Sequence, residues 1–362
     1  GHARRFRRRA REHTLRRLRL ISDRMVSRAI TQNWSLGFLL VSLIVVSSCA
    51  SDGLEPVVHV FDGGTMGTTY TVRVVTTVTW GQAKLDRVAR VIQETLDRID
   101  SKMSHYDPSS ELSEFNRLRQ TEWFEVSPET FTVVRVAQTL SELTGGALDI
   151  TVAPLVNAWG FGPVEPIQFP PDLARLSLLK KQVGYTKLEL DMATSAVRKT
   201  VPALEWDLSA VAKGYGVDQV ARALREEGLT RFMIEVGGEV TTAGSNQDNR
   251  AWRIGIERPT SAGGIQRIVP LQDRAMATSG DYHNTRDFNG QVFSHTIDPR
   301  TARPVQHQLG SVSVIADRCV VADGLATALE VLGPDDGYAL ASRMDWAALF
   351  LVRDGLNEIT AL

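Results

Sequence analysis

The sequence lacks the features that define several protein classes. Two cysteines, Cys49 and Cys319, occur in 362 residues, so a fold held together by several disulfides is excluded. Cys/His spacing of the zinc-binding type is absent, as are the GxGxxG and Walker patterns of nucleotide-binding loops. The net charge of -1 provides no basic excess for nucleic acid. The sequence therefore predicts no nucleic-acid partner and offers no zinc site of this kind.

The chain instead begins with an arginine-rich stretch. Residues 1–24 carry many arginines without apolar periodicity, and they precede the first methionine, Met25. We interpret residues 1–24 as a non-native upstream extension that arises from a misplaced start codon. A basic arm that binds RNA or lipid is the alternative.

Residues 25–48 have the parts of a lipoprotein signal peptide in the expected order. Arg28 supplies a positive charge, and residues 36–46 form an uncharged apolar run. That run is shorter than the roughly 20 residues that a helix needs to cross a bilayer. Residues 46–49 read Val-Ser-Ser-Cys, a lipobox, so Cys49 is the predicted lipidation site. An ordinary cleaved signal, or a buried helix with an accidental cysteine, is the alternative.

A lipidated Cys49 would anchor the protein to the cell membrane, facing the periplasm or another extracytoplasmic side. Residues 49–56 would form the tether between the lipid and the folded part. Cys319 would then be the one cysteine left, which excludes an intrachain disulfide. Its neighbours are apolar, and this predicts a buried position in the core.

The order of helical and strand-like segments in residues 57–362 predicts one catalytic domain of the α+β class, with a largely antiparallel sheet and packed helices. Helical spacing of apolar residues predicts helices at residues 82–99, from Ser127-Pro128 to Gly145-Gly146, from Ser209 to Gly228, and at residues 322–332 before Gly333-Pro334. Strands are predicted at residues 57–61 and 69–75, joined by a turn at Gly63-Gly64, and at residues 232–236, 252–256, 292–297 and 311–315.

The segment DLSAVAKGYGVD, residues 207–218, places Asp207 at the end of a predicted strand and directly before a helix. The N-terminus of a helix exposes unpaired N–H groups and a partial positive charge, which suit a phosphate. Lys213 lies within the first turns and could add a full charge. A plain helix cap beside a solvated lysine is the alternative.

The segment ADGLATAL, residues 322–329, places Asp323 and Thr327 one helical turn apart on the same face. A carboxylate and a hydroxyl so placed can offer two hard oxygen ligands to Mg²⁺. In the alternative, Asp323 caps the helix and Thr327 bonds to its own backbone.

His295 lies near the end of the strand predicted at residues 292–297 and close in sequence to Arg300 and Arg303. A histidine in such a setting could transfer a proton or contact a phosphate, and a hydrogen-bonded histidine at a strand end is the alternative. The segment IEVGGE, residues 234–239, places two glycines after a strand, where the backbone can approach a ligand closely.

Taken in order, these segments resemble the ApbE family, the FAD:protein FMN transferases. The resemblance runs from about residue 57 to residue 362. It is carried by MGTTY at residue 66, MSHYDPSSELSEFN at 103, GGALDITVAPLVNAWGFG at 145, DLSAVAKGYGVD at 207, VGGE at 236, ATSGDY at 277, HTIDPRTARP at 295 and ADGLATAL at 322.

The resemblance implies a reaction in which a threonine hydroxyl of a target protein attacks the FMN-side phosphorus of FAD. AMP leaves, and FMN stays attached through a phosphoester. It also implies Mg²⁺ as a cofactor, and acceptors among exported flavoprotein subunits of sodium-translocating NADH:quinone reductase or Rnf-type complexes. Two alternatives are an FAD pyrophosphatase that releases FMN and AMP, and a non-catalytic flavin-binding lipoprotein.

Site residues follow from the resemblance by matching position. The FAD-binding residues would be Met66, Tyr106, Ala147, Leu148, Asp149, Asp207, Lys213 and Ile297. The magnesium ligands would be Asp323, Thr327 and the backbone carbonyl of Ala210. His295 is the candidate for accepting the threonine proton, and an aspartate near the metal is the alternative.

The sequence departs from common family forms at three positions near the predicted site. Residue 326 is alanine, so a metal ligand at that position would have to be its backbone carbonyl. Gly324 stands where many members have alanine, and Ala302 replaces the usual glycine of the DPRTG turn. We expect these changes to have small effects.

Overall fold

The computed structural model describes residues 55–165, 167–260, 263–281, 284–354 and 358–362. The predicted upstream extension, signal peptide and lipidation site Cys49 lie outside the described residues, as does Tyr282 of the ATSGDY segment. Pro56–Leu362 form one compact unit. Among the helices that the structure describes, none is long and apolar enough to span a membrane.

The described helices are α1 (Gln82–Met103), α2 (Glu111–Arg117), α3 (Pro128–Thr144), α4 (Ala153–Ala158), α5 (Leu173–Lys180), α6 (Ser209–Glu226) and α7 (Cys319–Met344), with a 3₁₀ turn at Tyr185–Lys187. Helix α3 has the ends that its sequence predicts. The Ser127 hydroxyl accepts a hydrogen bond from the Thr130 N–H, and Gly145 adopts the left-handed conformation (φ 61°) that closes a helix.

An eight-stranded antiparallel sheet forms the centre of the fold, in the order β1-β2-β6-β7-β10-β15-β16-β17. Its strands are β1 (Val57–Thr65), β2 (Thr68–Thr76), β6 (Phe232–Val236), β7 (Glu239–Ala243), β10 (Ala275–Gly280), β15 (Leu309–Ala316), β16 (Ala347–Arg353) and β17 (Ile359–Ala361). The α+β class with a largely antiparallel sheet is therefore confirmed.

Shorter strands lie outside this sheet: β3 (Phe124–Glu125), β4 (Leu188–Asp191), β5 (Ala196–Lys199), β8 (Trp252–Glu257), β9 (Ile265–Leu271), β11 (Thr285–Phe288), β12 (Gln291–Ser294), β13 (Ile297–Asp298) and β14 (Arg303–Pro304). The single strand predicted at residues 292–297 is wrong in its length. It is divided into β12 and β13, with His295 and Thr296 between them.

Period-2 alternation along the strands gives the large sheet two buried faces. On β2, Val72 and Val74 belong to the core that packs against α1 and α6, whereas Val75 belongs to the core beneath the β8–β9 hairpin. The sheet is thus covered by helices on one face and by a hairpin on the other.

The turn between β1 and β2 differs from the prediction. It lies at Met66 and Gly67, both with positive φ (47° and 71°), as a tight two-residue hairpin requires. Gly63 instead lies within β1 opposite Tyr70. A Cβ atom there would lie 2.6 Å from the Tyr70 ring, so the glycine makes room for the aromatic side chain.

Helix α7 is interrupted at Gly333, which has φ 79° and ψ -176°. The predicted helix end at Gly333-Pro334 is confirmed for the first segment. A second helical segment, which was not predicted, begins at Pro334 and runs to Met344. Proline suits this position because its missing N–H is not needed in the first turn of a helix.

Candidate active site

A cavity of about 950 Å³ opens between the large sheet, the start of α6 and the first turns of α7. All twelve residues predicted for FAD, magnesium and proton transfer line it. They are Met66, Tyr106, Ala147, Leu148, Asp149, Asp207, Ala210, Lys213, His295, Ile297, Asp323 and Thr327. Six different parts of the chain thus meet at one site, although the roles of these residues stay predictions.

Close packing of α6 on α7 brings the two predicted halves of the site together. The N–H of Gly214 on α6 donates a 2.9 Å hydrogen bond to Oδ2 of Asp323 on α7. A Cβ atom at Gly214 would lie 2.6 Å from the Cys319 carbonyl oxygen and 2.8 Å from the Asp323 Cβ. A side chain at residue 214 would therefore push the helices apart. Cys319 is fully buried, as predicted.

Three charged side chains, Lys213, Glu239 and Asp323, form what we call the charged wall of the cavity. The Lys213 Nζ lies 2.8 Å from Glu239 Oε1 and 3.9 Å from Asp323 Oδ1. Burial alone would lower the pKa of Lys213, but the two carboxylates outweigh it and raise that pKa. Burial likewise raises the pKa of Glu239. The lysine therefore stays charged beside the cavity.

The residues predicted to hold Mg²⁺ provide a suitable set of oxygens. Asp323 offers a carboxylate, Thr327 a hydroxyl and Ala210 a carbonyl, and hard oxygen ligands of this kind suit Mg²⁺. Within the described ranges, no group of three or more His, Cys, Asp or Glu side chains could hold a metal. A site with one carboxylate fits Mg²⁺ bound jointly with substrate phosphates, which is its usual arrangement.

Helix α6 begins without a side-chain cap at its N-cap position. The N-cap residue is Leu208, which has no side-chain hydrogen bond, and Asp207 Oδ1 accepts a 2.9 Å hydrogen bond from the Ser209 N–H. Asp207 Oδ1 also lies 3.9 Å from Nδ1 of His105. One oxygen of Asp207 is thus partly engaged at the helix start while the residue faces the cavity.

His295 lies in the cavity wall after β12. Burial lowers its pKa, so the imidazole is neutral near pH 7. Its Nδ1 is buried and has no hydrogen-bond partner among the described residues. Phe161 meets its ring edge-on at 6.4 Å. A neutral imidazole with a free nitrogen can accept a proton, as the predicted role requires.

The remaining predicted FAD residues differ in exposure. Met66 has the positive φ of the β1–β2 turn, and Tyr106 is 70% exposed at the cavity mouth. Both carboxylate oxygens of Asp149 accept hydrogen bonds from the protein, from Thr151 and from the Tyr185 N–H. The Asp149 side chain therefore braces the cavity wall.

Several residues of the cavity were not predicted from the sequence. Glu239 of the VGGE segment and His105 beside Tyr106 line the cavity, and neither was predicted as a site residue. A further set, the hydroxyl wall, consists of Ser279, Thr296 and Glu330. Ser279 and Thr296 line the cavity, and both hydroxyls are hydrogen-bonded to the Glu330 carboxyl behind them.

Glu330 is fully buried, and its Oε2 has no hydrogen-bond partner among the described residues. Burial raises its pKa to about 8, so the group is mostly protonated at neutral pH. A carboxyl in an otherwise apolar helix segment could have drawn attention to this position. The hydroxyls that contact it come from β10 and from the segment between β12 and β13, and the sequence did not reveal these contacts.

Comparison with known proteins decides the family. The model of the ApbE family matches residues 66–350. The chain belongs to the ApbE family. Among curated relatives, the FAD:protein FMN transferase of Vibrio cholerae is 40% identical over 330 residues, which cover 90% of this chain and 96% of the relative. That of Haemophilus influenzae is 37% identical, over 89% and 94% of the two chains. The resemblance seen in the sequence is confirmed.

Solved structures of other ApbE proteins share the fold. The flavin transferase ApbE of Vibrio cholerae superposes with a TM-score of 0.77 at 38% identity, covering 85% of this chain and 97% of that one. The apo flavinyl transferase ApbE of Pseudomonas stutzeri gives a TM-score of 0.75 at 35% identity, covering 85% and 94%. The ApbE fold of residues 56–362 thus recurs in these relatives.

Proposed function

We propose that this ApbE protein transfers the FMN half of FAD to a threonine of target proteins, in a Mg²⁺-dependent reaction that releases AMP. One observation carries the proposal: the start of α6 and Asp323 of α7 share one cavity, with Lys213 between them. A diphosphate bound there would meet a helix N-terminus and a charged lysine. The names of the relatives support the same activity.

The proposed reaction is a phosphoryl-type transfer. The threonine oxygen forms a bond to the FMN-side phosphorus, and the bond from that phosphorus to the bridging oxygen breaks. AMP leaves with the bridging oxygen, and His295 accepts the threonine proton. Lys213 stabilises the charge that develops on the phosphate oxygens. Mg²⁺ held by Asp323, Thr327 and the Ala210 carbonyl would add further positive charge there.

We also propose that the enzyme acts outside the cytoplasm, anchored through lipid on Cys49. This rests on the lipobox at residues 46–49. Donor, enzyme and acceptor must then meet on one side of the membrane. Exported flavoprotein subunits of NADH:quinone reductase or Rnf type are the proposed acceptors. Globomycin treatment of expressing cells tests the anchor, since accumulation of an uncleaved precursor is expected and normal processing would contradict it.

The activity is tested with purified protein, FAD, Mg²⁺ and a threonine-containing acceptor subunit. A mass increase of one FMN group on the acceptor is expected. Free FMN and AMP without labelling would favour the pyrophosphatase, and intact FAD would favour a flavin-binding protein. Asp323→Asn should lower the transfer rate roughly 100-fold or more, because a ligand to the charge-neutralising ion is lost. Asp317→Asn, at an exposed residue, is the matched control.

The role of His295 is tested separately by His295→Ala. FAD binding, followed by flavin fluorescence, should be retained, while the transfer rate should fall about 100-fold, as is typical when a general base is removed. Transfer at the wild-type rate would rule out this role and leave an aspartate near the metal as the base.

A further inference from the structure

Helices α6 and α7 are joined at a second point, one helical turn away from the Gly214–Asp323 contact. The carboxylate of Asp218 on α6 faces the start of α7. Its Oδ1 accepts a 2.8 Å hydrogen bond from the Cys319 N–H, and its Oδ2 accepts one of 3.2 Å from the Val320 N–H. The side chain of Asp218 is 15% exposed and is not part of the cavity wall. A side chain of one helix therefore caps the other helix.

The start of α7 needs this cap. Its N-cap residue, Arg318, makes no side-chain hydrogen bond to the helix. The N–H groups of the third and fourth residues of α7 donate to the Arg318 carbonyl, at 3.2 and 3.1 Å. The first N–H groups of a helix have no partner within it, so those of the first two residues depend on Asp218. The partial positive charge of the helix start also favours a carboxylate at this position.

The two joints lie on matching faces of the helices. Gly214 and Asp218 are one turn apart on α6, and Cys319 and Asp323 are one turn apart on α7. Asp218 contacts Cys319, and the Gly214 N–H donates to Asp323 at 2.9 Å. The helices thus run antiparallel here and are joined at two successive turns. Helix α7 cannot slide along α6 or rotate against it without breaking hydrogen bonds.

A displacement of α7 would move the predicted metal ligand Asp323. A slip by one residue shifts a helix by about 1.5 Å along its axis and turns each side chain by about 100°. Metal ligands must lie within about 0.2 Å of their ideal distance. The Lys213 Nζ, 3.9 Å from Asp323 Oδ1, would also lose its place beside this carboxylate. The fit of Asp323 to a metal ion therefore depends on the register of the two helices.

We propose that Asp218 is a positioning residue for the reaction: by capping α7 from α6, it holds the Asp323 carboxylate in the position and orientation that Mg²⁺ binding requires. This inference rests on the proposed function, because the binding of Mg²⁺ by Asp323 is part of that function. Asp218 itself contacts neither the cavity nor the ligands that the cavity would hold.

The first test measures the dependence of FMN transfer on Mg²⁺. Asp218→Ala removes both hydrogen bonds to α7, whereas Asp218→Asn keeps one oxygen that can accept the Cys319 N–H. The Mg²⁺ concentration for half-maximal transfer should rise about tenfold in Asp218→Ala, since loss of a group that orients a metal ligand weakens metal binding by at least that factor. Asp218→Asn should lie between Asp218→Ala and the wild type. The KM for FAD at saturating Mg²⁺ should stay unchanged.

The same order of variants should appear when Mg²⁺ binding is followed without turnover, through the Mg²⁺-dependent rise in melting temperature of the protein with ADP. Asp172→Ala is the matched control, because Asp172 caps α5 through the Arg175 N–H at 2.7 Å and lies outside the cavity wall. It should keep the wild-type dependence on Mg²⁺. Equal Mg²⁺ dependence in the wild type and both Asp218 variants would overturn the inference. An equal rise in Asp172→Ala would also overturn it, because the effect would then reflect lost stability alone.

Hydrogen exchange tests the contact without metal or substrate. Exchange in a peptide that spans residues 210–216 should be faster in Asp218→Ala than in the wild type, because the Gly214 N–H loses its fixed acceptor on Asp323. Unchanged exchange in this peptide would overturn the inference. Faster exchange in the variant, together with wild-type transfer that does not respond to Mg²⁺, would show that Asp218 holds Asp323 and would contradict the metal site of the proposed function instead.

Discussion

The charged wall and the hydroxyl wall of the cavity each hold a buried glutamate, but the glutamates have different partners. Each contains a buried glutamate whose pKa is raised by burial, Glu239 in one and Glu330 in the other. Glu239 has Lys213 beside it at 2.8 Å, whereas Glu330 has the hydroxyls of Ser279 and Thr296. The charge of Lys213 opposes the effect of burial on Glu239, and the hydroxyls oppose it on Glu330, yet burial still raises the pKa of both carboxyls.

The difference has a functional meaning. The charged wall places the protonated Lys213 amine, beside two carboxyls, in the lining of the cavity, where it can contact a diphosphate. The hydroxyl wall presents uncharged donors and acceptors held from behind by a neutral carboxyl, which can orient a ligand without adding charge. The charged wall should therefore respond most strongly to loss of its cation, and the hydroxyl wall to pH.

The largest expected effect tests the charged wall. Lys213→Met leaves the carboxylates of Asp323 and Glu239 buried together without a cation, so the free energy of unfolding should fall by about 3–5 kcal/mol. Urea denaturation measures this loss. Lys84→Met removes the exposed pair with Glu227 and should cost at most about 1 kcal/mol. Similar losses in the two variants would show that Lys213 is not the buried counter-charge described here.

The next effect tests the hydroxyl wall by its pH dependence. The folded protein keeps a proton on Glu330 that the unfolded chain releases above pH 4.5, so this group makes the free energy of unfolding fall as pH rises from 4.5 to about 8. Glu330→Gln removes this slope. The stability of the variant relative to wild type should therefore rise by about 1.4 kcal/mol per pH unit within that window.

Urea denaturation at pH 6.0, 6.8 and 7.5 measures the Glu330→Gln effect, and the exposed Glu94→Gln on α1 is the control for the introduced amide. A relative stability that stays constant across these pH values would mean that Glu330 is already ionised in the fold, and the two walls would then not differ as proposed.

The smallest effect sharpens the comparison by testing how the charged wall is assembled. Gly214→Ala places a methyl group against the Cys319 carbonyl and Asp323, so α6 must shift away from α7. Overpacking of this kind should cost about 1–3 kcal/mol in thermal or urea unfolding. Gly64→Ala, where the nearest atom lies 3.7 Å away, is the control and should be almost neutral. Equal stability of the two variants would contradict the tight helix contact.

Several local features of the fold, such as helix ends, could be predicted from short stretches of the sequence. Helix α3 could be predicted from Ser127-Pro128 and Gly145, because caps act on backbone groups a few residues away. The start of α6 was predicted correctly, although its N-cap residue Leu208 has no side-chain hydrogen bond, whereas α7 begins at Cys319, before the predicted start at residue 322. The order of the motifs identified the ApbE family. The β1–β2 turn was misplaced because Gly63 serves a partner across the strands, Tyr70, and not the turn itself.

Only the tertiary structure shows which of these segments contact one another. The sequence placed Lys213 and Asp323 in separate motifs, and the packing of α6 on α7 through Gly214 brought their charged atoms to 3.9 Å. The contacts of Glu330 with Ser279 and Thr296 depend instead on how α7 packs against β10 and the segment after β12. Local sequence sets caps, turns and periodicity, whereas contacts between residues 34 to 110 positions apart depend on how complete elements pack.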